Sequence, residues 1–257
     1  MTTQREKAIR FAELHVAGEP LILFNIWDAG SAISVAEAGA KAIGTGSWSV
    51  AAANGFSDGE ELPLEFALAN IMRIVESVDL PVTLDFEGGY AVDVAGLRRN
   101  VSAGIDAGAV GINFEDQIVR GEGLYSAEEQ SDRIRTMREV ANERSIPLFI
   151  NARTDVFLKA DPSEHSLHME EAKNRARAYA QAGASGFFAP GLKDPQMIGD
   201  LCSHSPIPVN IMIMSDTPPN AEMASLGVAR ISYGPGPYRQ MIDSLKRAAS
   251  KAFAAES

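Results

Sequence analysis

The sequence TLDFEGGY, residues 83–90, reads as a short strand that ends in carboxylates and runs into a glycine turn. Because side chains alternate along a strand, Thr83, Asp85 and Glu87 lie on one face, and the apolar Leu84 and Phe86 lie on the other. Carboxylates that crowd together at a strand end repel each other unless a cation or a substrate offsets their charge. The stretch therefore predicts a divalent metal site at the end of a strand.

A second stretch, GINFEDQ at residues 111–117, repeats the pattern. Gly111, Asn113 and Glu115 share one face of this predicted strand, and apolar side chains occupy the other. Two successive strands that both end in acidic residues bring their carboxylates to one edge of a sheet. This repetition strengthens the prediction of a metal site.

Strand and helix patterns alternate along the whole chain. Eight short apolar runs predict strands, at Leu21–Ile26, Ala42–Thr45, Pro81–Phe86, Val110–Phe114, Leu148–Ala152, Gly186–Ala189, Pro208–Ile213 and Ala229–Tyr233. Eight strand–helix units without a Pro/Ser-rich linker predict an α/β protein with a single (β/α)8 TIM barrel domain over residues 1–257. A doubly wound open sheet is the alternative, but no Gly-x-Gly-x-x-Gly motif follows the first strand.

The composition excludes several classes of partner. With 257 residues, 46% of them hydrophobic, the chain can bury the core of one barrel. A net charge of −11 argues against nucleic acid or an anionic membrane as the main partner, although a small anionic substrate stays compatible. No apolar run is long enough to span a membrane, and the N-terminus does not resemble a signal peptide. The single cysteine, Cys202, cannot form an internal disulfide, which favours a cytoplasmic location.

The positions predicted to point inward near the carboxyl ends of the strands are polar. They are Asn25, Asp85, Glu87, Asn113, Glu115, Asn151, Arg153 and Asn210. Mg²⁺ suits such oxygen ligands, since it needs only one or two protein carboxylates, and Mn²⁺ is an alternative ion. Zinc would require His or Cys, but His15 and His204 are expected on helix surfaces and His165 and His168 in an exposed connection. Mutually satisfied buried polar groups, or solvated loop carboxylates, are the structural alternative.

Arg153 is the predicted anion clamp, because an inward guanidinium holds a carboxylate or a phosphonate through two hydrogen bonds. Its structural alternative is an ion pair with Asp155 or Glu115. We also expect Asn210 to contact the substrate. The loop after the second strand, with Thr45, Gly46, Ser47 and Trp48, is expected to offer backbone amides to a substrate oxygen.

A phosphate site after the eighth strand is a further alternative, because barrels often bind phosphate there. The sequence at this position is Gly234-Pro235-Gly236. However, the prolines remove amide donors, and a turn before a helix that begins at Pro237 explains the residues equally well.

The motifs at the strand ends resemble those of the isocitrate lyase/phosphoenolpyruvate mutase superfamily from about Leu21 to Phe253. Members carry Asp-x-Asp-x-Gly-Tyr after the third strand, and Asp85–Tyr90 matches with Glu in place of the second Asp. Glu115–Gln117 matches the Glu-Asp-Gln motif, and Ala152–Asp155 is identical to the Ala-Arg-Thr-Asp motif. The pair Thr45-Gly46 followed by Asp58 matches a further pattern of the superfamily.

The resemblance implies a barrel whose eighth helix is swapped between subunits, a homotetramer built as a dimer of dimers, and Mg²⁺-dependent chemistry on 2-oxo or 2-hydroxy acids. Asp85 would be the main metal ligand, with Glu87 and Glu115 reaching the ion directly or through water. Arg153 and the amides around Gly46 and Ser47 would hold the substrate carboxylate. The predicted catalytic residues are Arg153, Glu115, Asp58 and Tyr90.

Two departures from the superfamily leave the reaction open. The lyases carry a Lys-Lys/Arg-Cys-Gly-His loop after the fourth strand, and the mutases and phosphonopyruvate hydrolases carry a Lys-Thr/Arg-Asn loop. Here residues 118–125 read IVRGEGLY, and residues 187–192 replace a more polar end of the sixth strand. Tyr90, Arg120 and Glu122 are candidate proton donors or lid residues.

We therefore hypothesise a Mg²⁺-dependent lyase for a small oxo- or hydroxy-(di)carboxylate, acting through an enolate by C–C cleavage or decarboxylation. Phosphoenolpyruvate mutase or phosphonopyruvate hydrolase chemistry at a P–C bond is one alternative. A non-catalytic protein that binds 2-oxo acids is the other.

Overall fold

The structure, a computed structural model, describes residues 2–254 and contains a barrel of eight parallel strands. The strands are β1 (Leu21–Leu23), β2 (Ile43–Gly44), β3 (Val82–Asp85), β4 (Gly111–Glu115), β5 (Phe149–Arg153), β6 (Gly186–Phe188), β7 (Val209–Met212) and β8 (Arg230–Ser232). Each predicted strand is present, although its ends differ by a few residues. The TIM barrel prediction is confirmed, and the open doubly wound sheet is wrong.

The strands follow one another around the barrel in the order β1-β8-β7-β6-β5-β4-β3-β2. Between β1 and β2 the closure is made by loop residues: the Ile26 amide donates to the Gly44 carbonyl at 2.9 Å, and the Gly46 amide donates to the Ile26 carbonyl at 3.2 Å. All the carboxyl ends of the strands therefore meet at one end of the barrel, here called the mouth. The opposite end is called the floor.

Helices surround the strands. They are α1 (Gln4–Glu13), α2 (Ala29–Glu37), α3 (Ser47–Ala53), α4 (Leu64–Ser77), α5 (Val94–Asp106), α6 (Ala127–Glu143), α7 (Val156–Lys159), α8 (His165–Gln181), α9 (Pro195–His204), α10 (Asn220–Ser225) and α11 (Gly236–Ala254), with a short 3-10 turn at Pro162–Glu164. Side-chain caps define several helix starts. Asp93, for example, accepts the Gly96 amide at 2.8 Å before α5. Within residues 2–254, no helix is both long and apolar enough to cross a membrane.

The floor is closed by α1, which packs its apolar face against the amino ends of the strands. Ala8 and Phe11 contact a buried cluster that includes Leu21, Val110 and Phe149. His15, just after α1, stacks on the Phe149 ring at 3.9 Å between ring centroids. The expectation that His15 lies on a helix surface is wrong, because its imidazole forms part of this buried plug.

The middle of the barrel contains hydrogen-bonded polar side chains. The Asn151 amide donates to Asn113 Oδ1 at 2.9 Å, and the Asn210 amide donates to Ser232 Oγ at 3.1 Å. Arg230 also donates to Asn113 Oδ1, at 3.0 Å. Inward polar residues were predicted at Asn113, Asn151 and Asn210. These three side chains form hydrogen bonds with each other or with side chains of β8.

The last helix, α11, does not cover its own barrel. Among the described residues of α11 only Pro237 is buried. On the outer face of β1, where the eighth helix of a closed barrel would pack, Ile22 is 37% exposed and Phe24, just beyond the strand, is 40% exposed. Both an apolar helix face and an apolar groove therefore stay open to solvent in the single chain.

Candidate active site

The mouth brings together the ends of β3, β4 and β5. Asp85 is paired in register with Asn113, and Glu115 is paired with Arg153. Because side chains alternate along each strand, Asp85, Glu115 and Arg153 all point into the mouth. The structure thus places these three predicted residues beside one another.

Arg153 is held by two carboxylates. Its Nη1 lies 2.9 Å from Glu115 Oε2, while Nε and Nη2 lie 2.6 Å and 2.9 Å from the two Asp155 oxygens. The Arg153 side chain as a whole is 18% exposed. Burial alone lowers the pKa of Arg153, but the charges of Glu115 and Asp155 outweigh it and raise the pKa well above its usual range. The structural alternative to an anion clamp was an ion pair of Arg153 with Asp155 or Glu115, and both ion pairs are present.

Glu115 is almost fully buried. Burial raises the pKa of its carboxyl well above the usual value, Arg153 lowers it, and the nearby Asp155, Asp85 and Glu87 raise it further. The group therefore lies among more negative charge than Arg153 can balance.

Asp85 is oriented by the loop that follows β2. Its Oδ2 accepts the Ser47 amide at 2.8 Å, and its own amide donates to Thr45 Oγ1 at 2.9 Å. The Gly46 amide is also used, by the Ile26 carbonyl. The Gly46 and Ser47 amides thus position the loop and Asp85, and in this conformation they are not free for the predicted contact with a substrate.

Glu87 anchors a neighbouring loop. Its Oε2 accepts the amides of Gly59 and Glu60 at 2.8 Å and 2.7 Å, and its Oε1 accepts the Tyr90 hydroxyl at 3.0 Å. Burial, followed by the charge of Asp58, raises the pKa of Glu87 to about 7. Glu87 and Tyr90 have φ values of +49° and +54°, which non-glycine residues adopt only when the surroundings hold them there.

A buried arginine holds this strained loop. Arg133 donates to the carbonyls of Gly88 at 2.6 Å and of Ala91 and Val92 at 3.2 Å. The Asn100 amide donates to the Tyr90 carbonyl at 3.0 Å. The conformation that brings Tyr90 to Glu87 is therefore fixed by hydrogen bonds from α5 and α6.

Asp58 stands at the solvent-exposed rim of the mouth. Partial loss of hydration raises the pKa of its carboxyl, and the charge of Asp85 raises it further. The predicted catalytic residues Asp58, Tyr90, Glu115 and Arg153 thus surround one acidic mouth, with Asp85 and Glu87 between them.

Trp48 and Asn210 have surroundings that the sequence did not indicate. Arg239 of α11 lies over the Trp48 ring at 4.5 Å, and the Tyr238 ring lies 6.0 Å from it. Asn210 is buried in the barrel interior and bonded to Ser232, below the carboxylates. Their contact with a substrate stays a prediction.

The loop between β4 and α6 folds back over the mouth. The Arg120 guanidinium donates to the Glu60 carbonyl at 3.1 Å, and Gln117 pairs with Leu124 in an antiparallel bridge. Glu122 is exposed at the tip of the loop. Of the three candidate proton donors, only Tyr90 has its side chain bonded to a carboxylate of the mouth.

The structure also reveals a brace behind the mouth. Asp116 is fully buried and accepts the Asp155 amide at 2.9 Å, the Arg175 guanidinium at 3.0 Å and the Tyr179 hydroxyl at 2.8 Å. Through Asp155 this brace orients Arg153. In the sequence, the acidic pair of the Glu-Asp-Gln motif is the one sign that Asp116 has a role. Its partners Arg175 and Tyr179 in α8 are too distant along the chain to be inferred.

The donor set of the mouth fits a hard divalent cation. Five carboxyl groups, from Asp58, Asp85, Glu87, Glu115 and Asp155, lie at the mouth. Burial first, and then the neighbouring carboxylates, raise the pKa values of Asp58, Glu87 and Glu115, and a bound cation would offset both effects. Within residues 2–254, no three acidic, His or Cys side chains converge as a ready-made metal cage. Mg²⁺ does not need such a cage, because it retains several waters.

Comparison with known proteins gives a consistent family. Residues 11–253 match the family model for phosphoenolpyruvate phosphomutase. An uncharacterized protein of Mycobacterium tuberculosis is 30% identical over 89% of this chain and 83% of its own length. The 2-methylisocitrate lyase of Escherichia coli is 29% identical over 86% of this chain and 76% of its own length.

Solved structures agree with this match. A candidate phosphonomutase from Burkholderia cenocepacia superposes with a TM-score of 0.95 at 46% identity, covering 97% of this chain and 100% of that one. A phosphonopyruvate hydrolase in complex with oxalate and Mg²⁺ has a TM-score of 0.86 at 20% identity, covering 98% of this chain and 88% of that one. The second likeness establishes the shared fold, in a protein that binds Mg²⁺.

Proposed function

The chain belongs to the phosphoenolpyruvate phosphomutase family, and we propose that it is a Mg²⁺-dependent carbon–carbon lyase for a small 2-oxo or 2-hydroxy (di)carboxylate. The observation that carries this proposal is the charge imbalance at the mouth. Five carboxyl groups gather at the mouth, and within residues 2–254 Arg153 is the one guanidinium that forms ion pairs with any of them. Such a cluster is costly unless it binds a cation, and the phosphonopyruvate hydrolase of the same fold that was solved with oxalate and Mg²⁺ supports this proposal.

Asp85 is the best placed metal ligand. Its Oδ2 takes the Ser47 amide, which leaves Oδ1 free of any hydrogen bond within residues 2–254. Glu87 already accepts the Gly59 and Glu60 amides and the Tyr90 hydroxyl, so it would reach the ion through water. Glu115 is paired with Arg153 through Oε2 alone, so its other oxygen would reach the ion directly or through water. A bound Mg²⁺ supplies Lewis-acid stabilisation to the negative charge that develops on the substrate oxygen.

Arg153 would bind the substrate carboxylate. Glu115 and Asp155 use Nη1, Nη2 and Nε, but each terminal nitrogen carries a second hydrogen that can donate into the mouth. The same carboxylates fix the plane of the guanidinium. A preoriented fork of this kind favours a planar anion bound at two points.

Tyr90 is the proposed proton donor. Breaking a C–C bond beside a carbonyl leaves a carbanion equivalent that must take up a proton. Burial, together with the negative Glu87, raises the pKa of Tyr90, so its hydroxyl stays protonated. It could give that proton to the departing carbon while Glu87 orients the ring.

Chemistry at a P–C bond is the second candidate. The Burkholderia protein with 46% identity over the full barrel is described as a phosphonomutase. The same cation and Arg153 could bind a phosphonate and a carboxylate of one substrate. The missing Lys-Thr/Arg-Asn loop argues against this candidate.

We also propose that the chain forms a homo-oligomer, a dimer of dimers, by exchanging α11. Leu245 and Phe253 of α11 are exposed, and the groove on β1 with Ile22 and Phe24 is open. An α11 helix from a second copy would cover this groove. Sedimentation should show an oligomer for the wild type and a smaller species for Phe24→Glu.

A substrate panel tests the proposed reaction. Oxaloacetate, isocitrate, methylisocitrate and phosphonopyruvate are incubated with the protein in Mg²⁺ or in chelator, and pyruvate, glyoxylate and phosphate are measured. Metal-dependent C–C cleavage supports the lyase, and phosphate release from phosphonopyruvate supports the second candidate. Tight oxalate binding without any turnover would contradict both and favour a non-catalytic 2-oxo-acid binding protein.

A further inference from the structure

The barrel interior contains an arginine without an acidic partner. Arg230 begins β8, points inward and is only 1% exposed. It donates through Nη2 to Asn113 Oδ1 at 3.0 Å and weakly through Nε to Ser232 Oγ at 3.4 Å. Within residues 2–254, its Nη1 has no hydrogen-bond partner and no carboxylate forms an ion pair with it.

An unpaired buried charge is expensive, so a purely structural position would favour a neutral side chain. Burial lowers the pKa of Arg230 to about 9, and Asp85 is the charge that opposes this effect. The guanidinium therefore stays positive at neutral pH. The titratable group facing it from the floor is His15, whose pKa burial lowers to about 3, so His15 stays neutral.

Arg230 is linked to the mouth through a single residue, Asn113. Asn113, which accepts its hydrogen bond, is the cross-strand partner of Asp85. The Ser47 amide holds Asp85 from the other side. Arg230 therefore contacts the residue that pairs with Asp85 in the sheet, while the Ser47 amide binds one oxygen of the Asp85 carboxylate.

A second buried arginine shows what a mainly structural role looks like. Arg133 also lacks an ion pair within residues 2–254, but it donates to three loop carbonyls and lies over the Phe114 and Tyr125 rings. The carboxylate that acts on its charge is Glu60, in the loop before α4. Arg230 makes only one hydrogen bond of normal length within residues 2–254, so hydrogen bonding does not account for a charged residue at this buried position.

We propose that Arg230 is a positioning residue, whose buried positive charge stabilises the Asp85 carboxylate from inside the barrel and keeps it directed at the mouth. The role deepens the proposed function, because it rests on that function for the use of Asp85 as the cation ligand. The coupling between the two residues itself needs no bound metal.

A double-mutant cycle on the full-length, chelator-treated protein tests the coupling. Urea unfolding at pH 8 is measured for Arg230→Met, Asp85→Asn and the double variant. Arg230→Met should lower the folding equilibrium constant, and adding Asp85→Asn should recover about tenfold of the loss, since the unpaired carboxylate is then gone. The matched cycle of Arg133→Met with Asp85→Asn should be additive within about twofold.

Two outcomes would overturn the inference. One is additivity of Arg230→Met and Asp85→Asn; the other is an Arg230→Met variant that does not fold and that Asp85→Asn fails to rescue. Arg230→Lys, which keeps the charge but loses the guanidinium geometry, should destabilise the protein less than Arg230→Met. A wild type that binds no Mg²⁺ would refute the proposed function and leave the result of the cycle valid.

Discussion

The mouth and the floor of the barrel treat polar groups in opposite ways. At the mouth, five carboxyl groups meet Arg153, and two residues are held at positive φ. At the floor, Phe11, Phe149 and the neutral His15 form an apolar plug. At the mouth, a bound ligand can offset the excess negative charge. At the floor, aromatic side chains contribute only to stability. The contrast supports the proposal that the mouth is the functional end.

The largest effect is expected from Asp85→Asn at the mouth. Removing the proposed direct ligand should lower metal-dependent turnover by about 10³-fold, because the developing oxyanion loses its cation. The unfolding midpoint of the chelator-treated protein should change little, because the repulsion that this variant removes and the attraction to Arg230 that it loses offset each other. Unchanged turnover would show that Asp85 does not bind the ion.

Phe11→Ala probes the floor. Removing a fully buried aromatic ring should reduce the free energy of unfolding by about 3–5 kcal/mol, through lost burial and a cavity. Turnover per folded molecule should stay the same, because the ring lies far from the mouth. Denaturant unfolding and an activity assay at low temperature measure both, and a large loss of activity without a loss of stability would break the contrast.

The pH dependence of stability should distinguish the mouth through Glu87, whose pKa is raised to about 7 by burial and by Asp58. A raised pKa in the folded state means that its favourable contribution is complete below the pKa of the unfolded chain and is lost as the pH rises through about 7. Relative to Glu87→Gln, the chelator-treated wild type should therefore lose roughly 2 kcal/mol between pH 5 and pH 8.

Urea unfolding at several pH values measures this difference. The control is Glu122→Gln on the exposed β4–α6 loop, whose stability should follow that of the wild type at each pH. Parallel curves for Glu87→Gln and the wild type would contradict the raised pKa.

A smaller effect is expected from Arg153→Lys. An ammonium cannot reproduce the two-pronged grip on Asp155 and a substrate carboxylate together. Oxalate binding in the presence of Mg²⁺ should weaken about tenfold. Isothermal titration measures it, with Arg120→Lys on the rim as the control that should bind as the wild type does. Equal affinities for Arg153→Lys and the wild type would remove Arg153 from the substrate site.

Local periodicity was enough to predict the barrel and the mouth. The alternation in residues 83–85 and 111–115 places Asp85 and Glu115 on inward faces, and the structure brings both to the mouth. Glu87 lies beyond the end of β3, at positive φ, so its position depends on the loop and not on the strand. The Ala-Arg-Thr-Asp motif likewise brings Arg153 to the mouth beside Glu115. Short-range patterns suffice here because a strand fixes the direction of each side chain.

Contacts between distant segments could not be predicted in the same way. That α1 plugs the floor, that Glu87 binds the amides of the loop at residues 59–60, and that Arg175 braces Asp116 all depend on packing across the fold. Arg230 was missed for a different reason. Its inward direction follows from the strand period, but a long basic side chain near a strand start usually reaches solvent.

The most direct test of the charge imbalance is a titration of the chelator-treated protein with Mn²⁺, followed by electron paramagnetic resonance. We predict one saturable site per chain in the wild type, competed by Mg²⁺ and lost in Asp85→Asn. Retention of the site in Asp85→Asn, or no saturable binding in the wild type, would contradict the account.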